Sequence, residues 1–296
     1  MLNTMPQTTW QQQNYEAIMA RLEWVRAQPD GFIFQQILPQ HIVMVHKHGT
    51  RLSLAMPCPV ADMVQSVMNL ADPLNLTAPY NQAFLLALAW QPQPAHIFTA
   101  GVGGGSLPLV LHHYLPETQL DCVELDELVC EMAQKYFGLQ PDHRLTITIQ
   151  EARTYLSQTS HPYDIMFIDV FMGNGLTPYP LVTQEFYQLC QQRLTKNGVI
   201  VINMPHDEAA YTDKVKTLQS IFQHIYICRV EMGNSAVIGT NSNLLTRSDI
   251  IEWARQWQTA QRLPFSLLKR AQLLTHPSDL LELLPHLPEA TILHDR

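Results

Sequence analysis

At 296 residues the chain is long enough for one large α/β domain with a smaller appendage, and its 46% hydrophobic content can fill a continuous core. The net charge is −8, from 26 acidic and 18 basic residues, and no stripe of Lys and Arg appears, so nucleic acid is not expected as a partner. Five dispersed cysteines without a Cys-x-x-Cys pair, no apolar run near the roughly 18 residues that span a bilayer, and no basic-then-apolar start lead us to expect a cytoplasmic protein without membrane contact.

Tyr15, Ile18, Met19, Leu22 and Val25 fall on one helical face and predict a helix over residues 15–27. Residues 31–38, 41–48 and 51–55 are short, partly alternating runs broken by Pro39-Gln40 and Gly49-Thr50; they predict a small antiparallel sheet, closed by Pro57 and Pro59. Residues 61–90 read as helical. The expected division is an N-terminal helix and small β-sheet domain over 1–60 and a Rossmann-like domain over 61–296.

From residue 95 onward strands and helices alternate, which predicts a parallel sheet with crossover helices. The strands are expected at 95–100, 119–124, 145–150, 164–169, 198–203, 224–230 and 236–240, with helices such as 127–136 and 185–194 between them. Residues 231–235 are too few for a crossover helix, so the last two strands should pair as a hairpin. Five parallel strands ending in a β-hairpin give an α/β fold of the Rossmann-like class I methyltransferase type. The stretch from residue 248 reads as helical and Leu-rich, packed on the sheet or on a partner subunit.

The strongest chemical signal is Ile97-Phe-Thr-Ala-Gly101-Val-Gly103-Gly104-Gly105-Ser106, an apolar strand running through glycines into a helix. Such a turn lets backbone approach a ligand, and the helix start offers unpaired N–H groups. Glu124 ends the next strand, where a carboxylate can accept ribose hydroxyls. Strand, glycine turn, helix, strand and acid in that order point to a nucleoside site. Asp126 reads as the N-cap of the following helix. Glu151 and Ala152 follow the third strand, where an acid and a backbone N–H would meet adenine. Asp169 leaves the fourth strand at the ligand-bearing edge, whereas Asp164, at the opposite end of that strand, is structural. A nicotinamide dinucleotide shares the first half of this pattern but fits Ser106 and the terminal hairpin less well. His46, His48, His112 and His113 have no partners at ligand spacing, and no metal is expected.

Residues 70–204 resemble the spermidine synthase family, particularly a bacterial spermidine-synthase-like branch. The resemblance rests on Asp72-Pro-Leu-Asn-Leu-Thr-Ala-Pro-Tyr80, the glycine turn through Pro108, Val123-Glu-Leu-Asp126, residues 163–171, Leu181-Val-Thr-Gln-Glu-Phe186 and residues 198–204. It implies S-adenosylmethionine or decarboxylated S-adenosylmethionine as co-substrate, a small-molecule acceptor and acceptor contacts at Tyr80 and Gln82. Asn203, ending the fifth strand, and Met172 are further candidate acceptor contacts, and a homodimer is expected. Two departures stand out. Typical members carry Asp where this chain has Gly104, and that Asp helps hold the donor's aminopropyl ammonium. They also carry a second Asp where Asp169-Val-Phe-Met172-Gly173 has Met172, and that Asp receives the attacking amine. Both losses remove charge that selects a polycation. The reading therefore favours methyl transfer to a small amine or other heteroatom, with Asp169 orienting or deprotonating the acceptor. A divergent aminopropyltransferase and a non-catalytic nucleoside-binding protein are its rivals. Met172, Phe171 and Tyr179 fit an acceptor pocket and ordinary core equally well.

Overall fold

The computed structural model describes residues 9–39, 41–57, 64–172 and 176–296; Gln40, Cys58, Pro59 and Gly173 fall outside them. Helix α1 (Thr9–Ala27) begins earlier than its apolar face suggests, because polar side chains fasten its first turns. Gln11 reaches Gln261 at 2.9 Å and Asn14 meets His113 at 3.2 Å. Ile18, Leu22 and Val25 are buried as expected, against the main domain.

The small sheet contains β1 (Gly31–Ile37), β2 (Ile42–His48), β3 (Arg51–Ala55) and a fourth strand, β4 (Val64–Asn69), all antiparallel in that order. The fourth strand corrects the helix expected over 61–90 from Val64 onward, residues 61–63 lying outside the described ones, and places part of the small sheet beyond the expected boundary at residue 60. Val64–Asn69 is too short for periodicity to separate strand from helix, and its register, Arg51 opposite Asn69, is set by β3. Helix begins only at α2 (Pro79–Phe84), with Pro79 in its first turn, and continues as a 3₁₀ turn over Leu85–Ala89.

The central sheet comprises β5 (His96–Ala100), β6 (Gln119–Glu124), β7 (Leu145–Ile149), β8 (Tyr163–Ile168), β9 (Leu194–Pro205), β10 (His224–Arg229), β11 (Asn234–Thr240) and β12 (Leu274–Thr275). Its order is β12-β10-β11-β9-β8-β5-β6-β7. β5 to β9 are mutually parallel, and β11 returns antiparallel to both β9 and β10, which is the expected terminal hairpin. β12 adds an edge strand from the C-terminal region. The crossover helices are α3 (Ser106–Tyr114), α4 (Glu127–Tyr136), α5 (Ala152–Gln158), α6 (Gln184–Arg193) and α7 (Tyr211–Gln219). α8 (Arg247–Gln261) and α9 (Leu267–Gln272) follow.

Strand alternation splits the core over the two faces of this sheet. Ile165 and Phe167 of β8 share one core with α1, the small sheet and α3. Met166 and Ile168 enter the other, with Leu156, Phe186 and Val215. Asp164 behaves as a structural anchor at the sheet's lower edge, accepting from Ala95 N–H at 2.7 Å and Thr195 Oγ1 at 3.0 Å. The carboxyl ends of β5, β6, β7 and β8 converge on the face that the small sheet overhangs.

Candidate active site

The turn after β5 is shaped by what crosses it. Gly101 has φ of 88°, and a Cβ there would stand 2.1 Å from the Asp169 carbonyl oxygen, so only glycine lets the two strand ends pass. Gly104 is closed from the other side. A Cβ there would lie 2.8 Å from Ser66 Cβ and 3.1 Å from a Phe137 ring carbon, while the Gly104 N–H donates to Ser66 Oγ at 2.7 Å. Ser66 belongs to β4, so the small sheet forms part of the turn's wall.

Glu124 holds the turn from the β6 side. Its Oε2 accepts from Val102 N–H at 2.9 Å and Gly103 N–H at 3.4 Å, and its Oε1 accepts from Leu125 N–H at 2.8 Å and Asp126 N–H at 3.2 Å. The acid expected to meet a ribose thus also ties the glycine turn to its strand. Asp126 is the N-cap of α4, accepting from Leu128 N–H at 2.9 Å, and it meets His41 Nε2 at 2.8 Å. Glu151 caps α5 through Arg153 N–H at 2.9 Å and Thr154 N–H at 2.7 Å, which commits the carboxylate expected to face adenine.

These elements enclose a cleft of about 920 Å³. Of the residues singled out in the sequence, Gly101, Gly103, Glu124, Glu151, Ala152, Asp169, Tyr80 and Met172 line it, and Asn203 does not. Gly104 and Gly105 form the turn behind that lining. His41, Met56, Gln65 and Ser66 of the small sheet's segments also line it, and no motif marked them. Among the described lining residues the charged side chains are Glu124, Asp126, Glu127, Glu151 and Asp169, with no Lys or Arg. Ser106 Oγ, at the start of α3 and on the lining, is buried with no hydrogen-bond partner among the described residues. A cationic nucleoside with hydroxyl groups fits a cleft of this donor and acceptor set.

Asp169 leaves β8 beside the turn, its N–H donating to the Ala100 carbonyl at 2.9 Å. Asn203 Nδ2 donates to its carboxylate at 2.9 Å, and the Tyr80 hydroxyl is hydrogen-bonded to it as well. Burial pushes the Asp169 carboxyl up to about 6 against those two hydrogen bonds, and the charge of Glu124 adds to the rise. Burial, with the charge of Asp169 next, raises the Tyr80 phenol well above its ordinary value, so Tyr80 stays a donor. Asn81 Oδ1 and Asn203 Oδ1 are both buried without a hydrogen-bond partner among the described residues.

Gln82 departs from expectation. It does not line the cleft; its amide donates to the Leu76 carbonyl at 2.6 Å and accepts from Arg270 Nε at 3.1 Å, which fastens α2 to α9. Asn81 takes the lining position instead. Tyr179 also stays off the lining, its hydroxyl donating to the His294 carbonyl at 3.0 Å. Met172 is 42% exposed at the cleft rim. No group of three or more His, Cys, Asp or Glu able to hold a metal ion occurs among the described residues, and none of their helices is long and apolar enough to cross a membrane.

A sheet of this order, with a glycine turn after its first strand and an acid closing the second, defines a class I methyltransferase-like transferase acting on adenosylmethionine-type substrates. Comparison with known proteins narrows the class. The spermine/spermidine synthase domain matches residues 86–232. A polyamine aminopropyltransferase of Vibrio vulnificus (strain CMCP6) is 30% identical over 240 residues, covering 79% of each chain. The chain belongs to the spermine/spermidine synthase family. It is also 28% identical over 194 residues to the Homo sapiens eEF1A lysine and N-terminal methyltransferase, a match to 59% of this chain but only 28% of that longer protein. A probable spermidine synthase from Corynebacterium glutamicum ATCC 13032 has the same fold, with a TM-score of 0.70 at 16% identity over 91% of this chain and 98% of that one. Human Methyltransferase-like protein 13 in complex with SAH aligns with a TM-score of 0.59 at 25% identity, over 64% of this chain and 94% of that one.

Proposed function

We propose that the chain transfers a methyl group from S-adenosylmethionine to the nitrogen of a small amine. The observation that carries this reading is the wall around Gly104. Typical family members hold the aminopropyl ammonium of a decarboxylated donor with an Asp at that point. Here a side chain would collide with Ser66 and Phe137, so the loss is built into the packing of β4. Without that carboxylate the cleft disfavours less a donor that keeps its own carboxylate.

In this reading the glycine turn at Gly101, Gly103, Gly104 and Gly105 carries the donor, Glu124 takes its ribose, and Glu151 with Ala152 borders its adenine. The sulfonium, when bound, supplies an activated methyl carbon. Asp169 stands beside the acceptor, oriented by Tyr80 and Asn203. The acceptor nitrogen forms the new N–C bond as the C–S bond breaks, the electron pair goes to sulfur, and Asp169 takes the proton released from nitrogen. The unpartnered oxygen of Asn81, on the lining, is a hydrogen-bond acceptor, as is Asp169, which suits an N–H-bearing acceptor. Met172 leaves the outer acceptor side apolar. The enzyme's own contribution is chiefly orientation and exclusion of water.

A second reading, aminopropyl transfer, is favoured by the match to 79% of a polyamine aminopropyltransferase and by the acid-only charge of the cleft. The two differ in the nucleoside product. Purified protein is incubated with either donor and a panel of amines, putrescine included, and the nucleoside is read by mass spectrometry. S-adenosylhomocysteine is expected. Methylthioadenosine formed from the decarboxylated donor with turnover of about 1–1000 per second would reverse the proposal.

A further inference from the structure

The donor side of the cleft has two walls that meet through one side chain. Glu151 and Ala152, at the start of α5, line it on one side; Pro178, Pro180 and Leu181 line it on the other. Arg153, the next residue of α5, donates through Nη1 to the Pro180 carbonyl at 3.1 Å and to Asp295 Oδ1 at 2.7 Å, while Nη2 pairs with Asp295 Oδ2. Asp295 Oδ1 also accepts from the fully buried Thr183 Oγ1 at 2.8 Å.

The segment bearing Asp295 is itself held at several points. Gln184 N–H donates to the Leu293 carbonyl at 2.8 Å, Leu293 N–H to Thr217 Oγ1 at 2.9 Å, and Asp295 N–H to Glu185 Oε2 at 2.9 Å. It grips the second wall as well. Tyr179, between the two lining prolines, donates to the His294 carbonyl at 3.0 Å and lies 4.4 Å beneath the Arg296 guanidinium.

We propose that Arg153 and Asp295 are positioning residues of the donor site, fixing the gap between the start of α5 and the 178–181 wall in which the nucleoside base is held. The inference rests on the reading of the cleft as a nucleoside site. A lone exposed ion pair would contribute little. This pair differs because it is bidentate, so its geometry is directional, and because both partners are tied to ordered backbone. The same contact holds Asp295 down at about 2 and raises the Arg153 guanidinium, so the link persists across the working pH range.

The test is calorimetric titration of the full chain with S-adenosylhomocysteine and, separately, methylthioadenosine. Wild type is compared with Asp295→Asn, which keeps shape but loses charge, and Arg153→Lys, which keeps charge but loses the fork. Affinity for both nucleosides should fall about five- to twentyfold in each variant, and by the same factor for the two ligands, because the base is their shared part. In turnover assays the loss should appear in the donor KM. Asp295→Glu, with charge restored on a longer arm, should recover part of the affinity. Wild type that binds neither nucleoside overturns the nucleoside reading itself. Wild type that binds, with both variants within twofold of it, overturns the positioning role alone. A loss seen in kcat with KM unchanged, or for one nucleoside only, also overturns it.

Discussion

Changing Asp169 to Asn separates what this carboxylate does for the reaction from what it costs the fold. Its value in the folded chain is about 6, against 3.8 for the ordinary group. A folded-state value above the unfolded one means the associated stability is fully present below 3.8 and is lost as pH rises through 6. At 1.36 kcal/mol per pH unit the full loss is about 3 kcal/mol, and about 2 kcal/mol of it falls between pH 4.5 and 7.5. Asn keeps an acceptor for Tyr80, and a flip of Asn203 would offer its unpartnered oxygen to the new amide. The variant should therefore gain on wild type by about 2 kcal/mol between pH 4.5 and 7.5 in urea denaturation, while transfer falls by about 10²–10⁴-fold. In wild type, kcat/KM should drop with unit slope below pH 6, since that limb reports the free enzyme's base. A stability difference that does not change with pH would refute the buried charge, and turnover that survives the substitution would refute its role in the reaction.

Three further substitutions probe the rest of the cleft. Gly104→Asp should destabilise the fold by about 1–3 kcal/mol through its collision with Ser66 and Phe137, with partial recovery in Gly104→Asp/Ser66→Gly, read by thermal unfolding. Glu124→Gln replaces an acceptor oxygen by a donor and strands backbone N–H groups of the turn or of residues 125–126. Adenosylmethionine affinity and stability should fall together, each by about 1–3 kcal/mol, by calorimetry and melting; a loss of affinity alone would contradict the structural role. Met172→Asp should strengthen putrescine binding as a second carboxylate joins Asp169 at the rim, and unchanged diamine affinity by titration would remove Met172 from the acceptor side.

Much of the fold is legible in the sequence because its patterns are local. β3, β6 and α4 have the bounds their alternation and caps predict, and the hairpin of β10 and β11 follows from the shortness of the link. β4 and β12 are not legible: six residues of β4 are too few for periodicity to tell strand from helix, and the two residues of β12 are a strand only by virtue of β10, remote in the chain. The site divides in the same way. Glu124 and Asp169 stand out because strand ends next to a glycine turn must face the ligand edge. Choosing Asn81 over Gln82 needs the orientation of α2, where neighbouring side chains point about 100° apart. His41, Gln65 and Ser66 enter the cleft from the small sheet, and nothing in their own segments marks them. The cap made by Glu151 is a local signal that a reading aimed at adenine passes over.

The physical centre of the molecule is the crossing of two strand ends at Gly101 and Asp169. The Asp169 N–H donates to Ala100, and the Asp169 carbonyl occupies the space a Gly101 side chain would need. The turn that would carry the donor and the carboxylate that would serve the acceptor are therefore one rigid unit. Two further contacts stiffen it: Glu124 from the β6 side, and Ser66 from a sheet that is not part of the Rossmann-like layer at all. In the proposed reading, selection between donors acts through that second contact. An Asp at position 104 would need the space now filled by Ser66 and Phe137. In that reading a change of donor chemistry goes with a change in how the small sheet packs on the turn, so the residues proposed to border the donor can be kept while the charge that would distinguish one donor from another is absent.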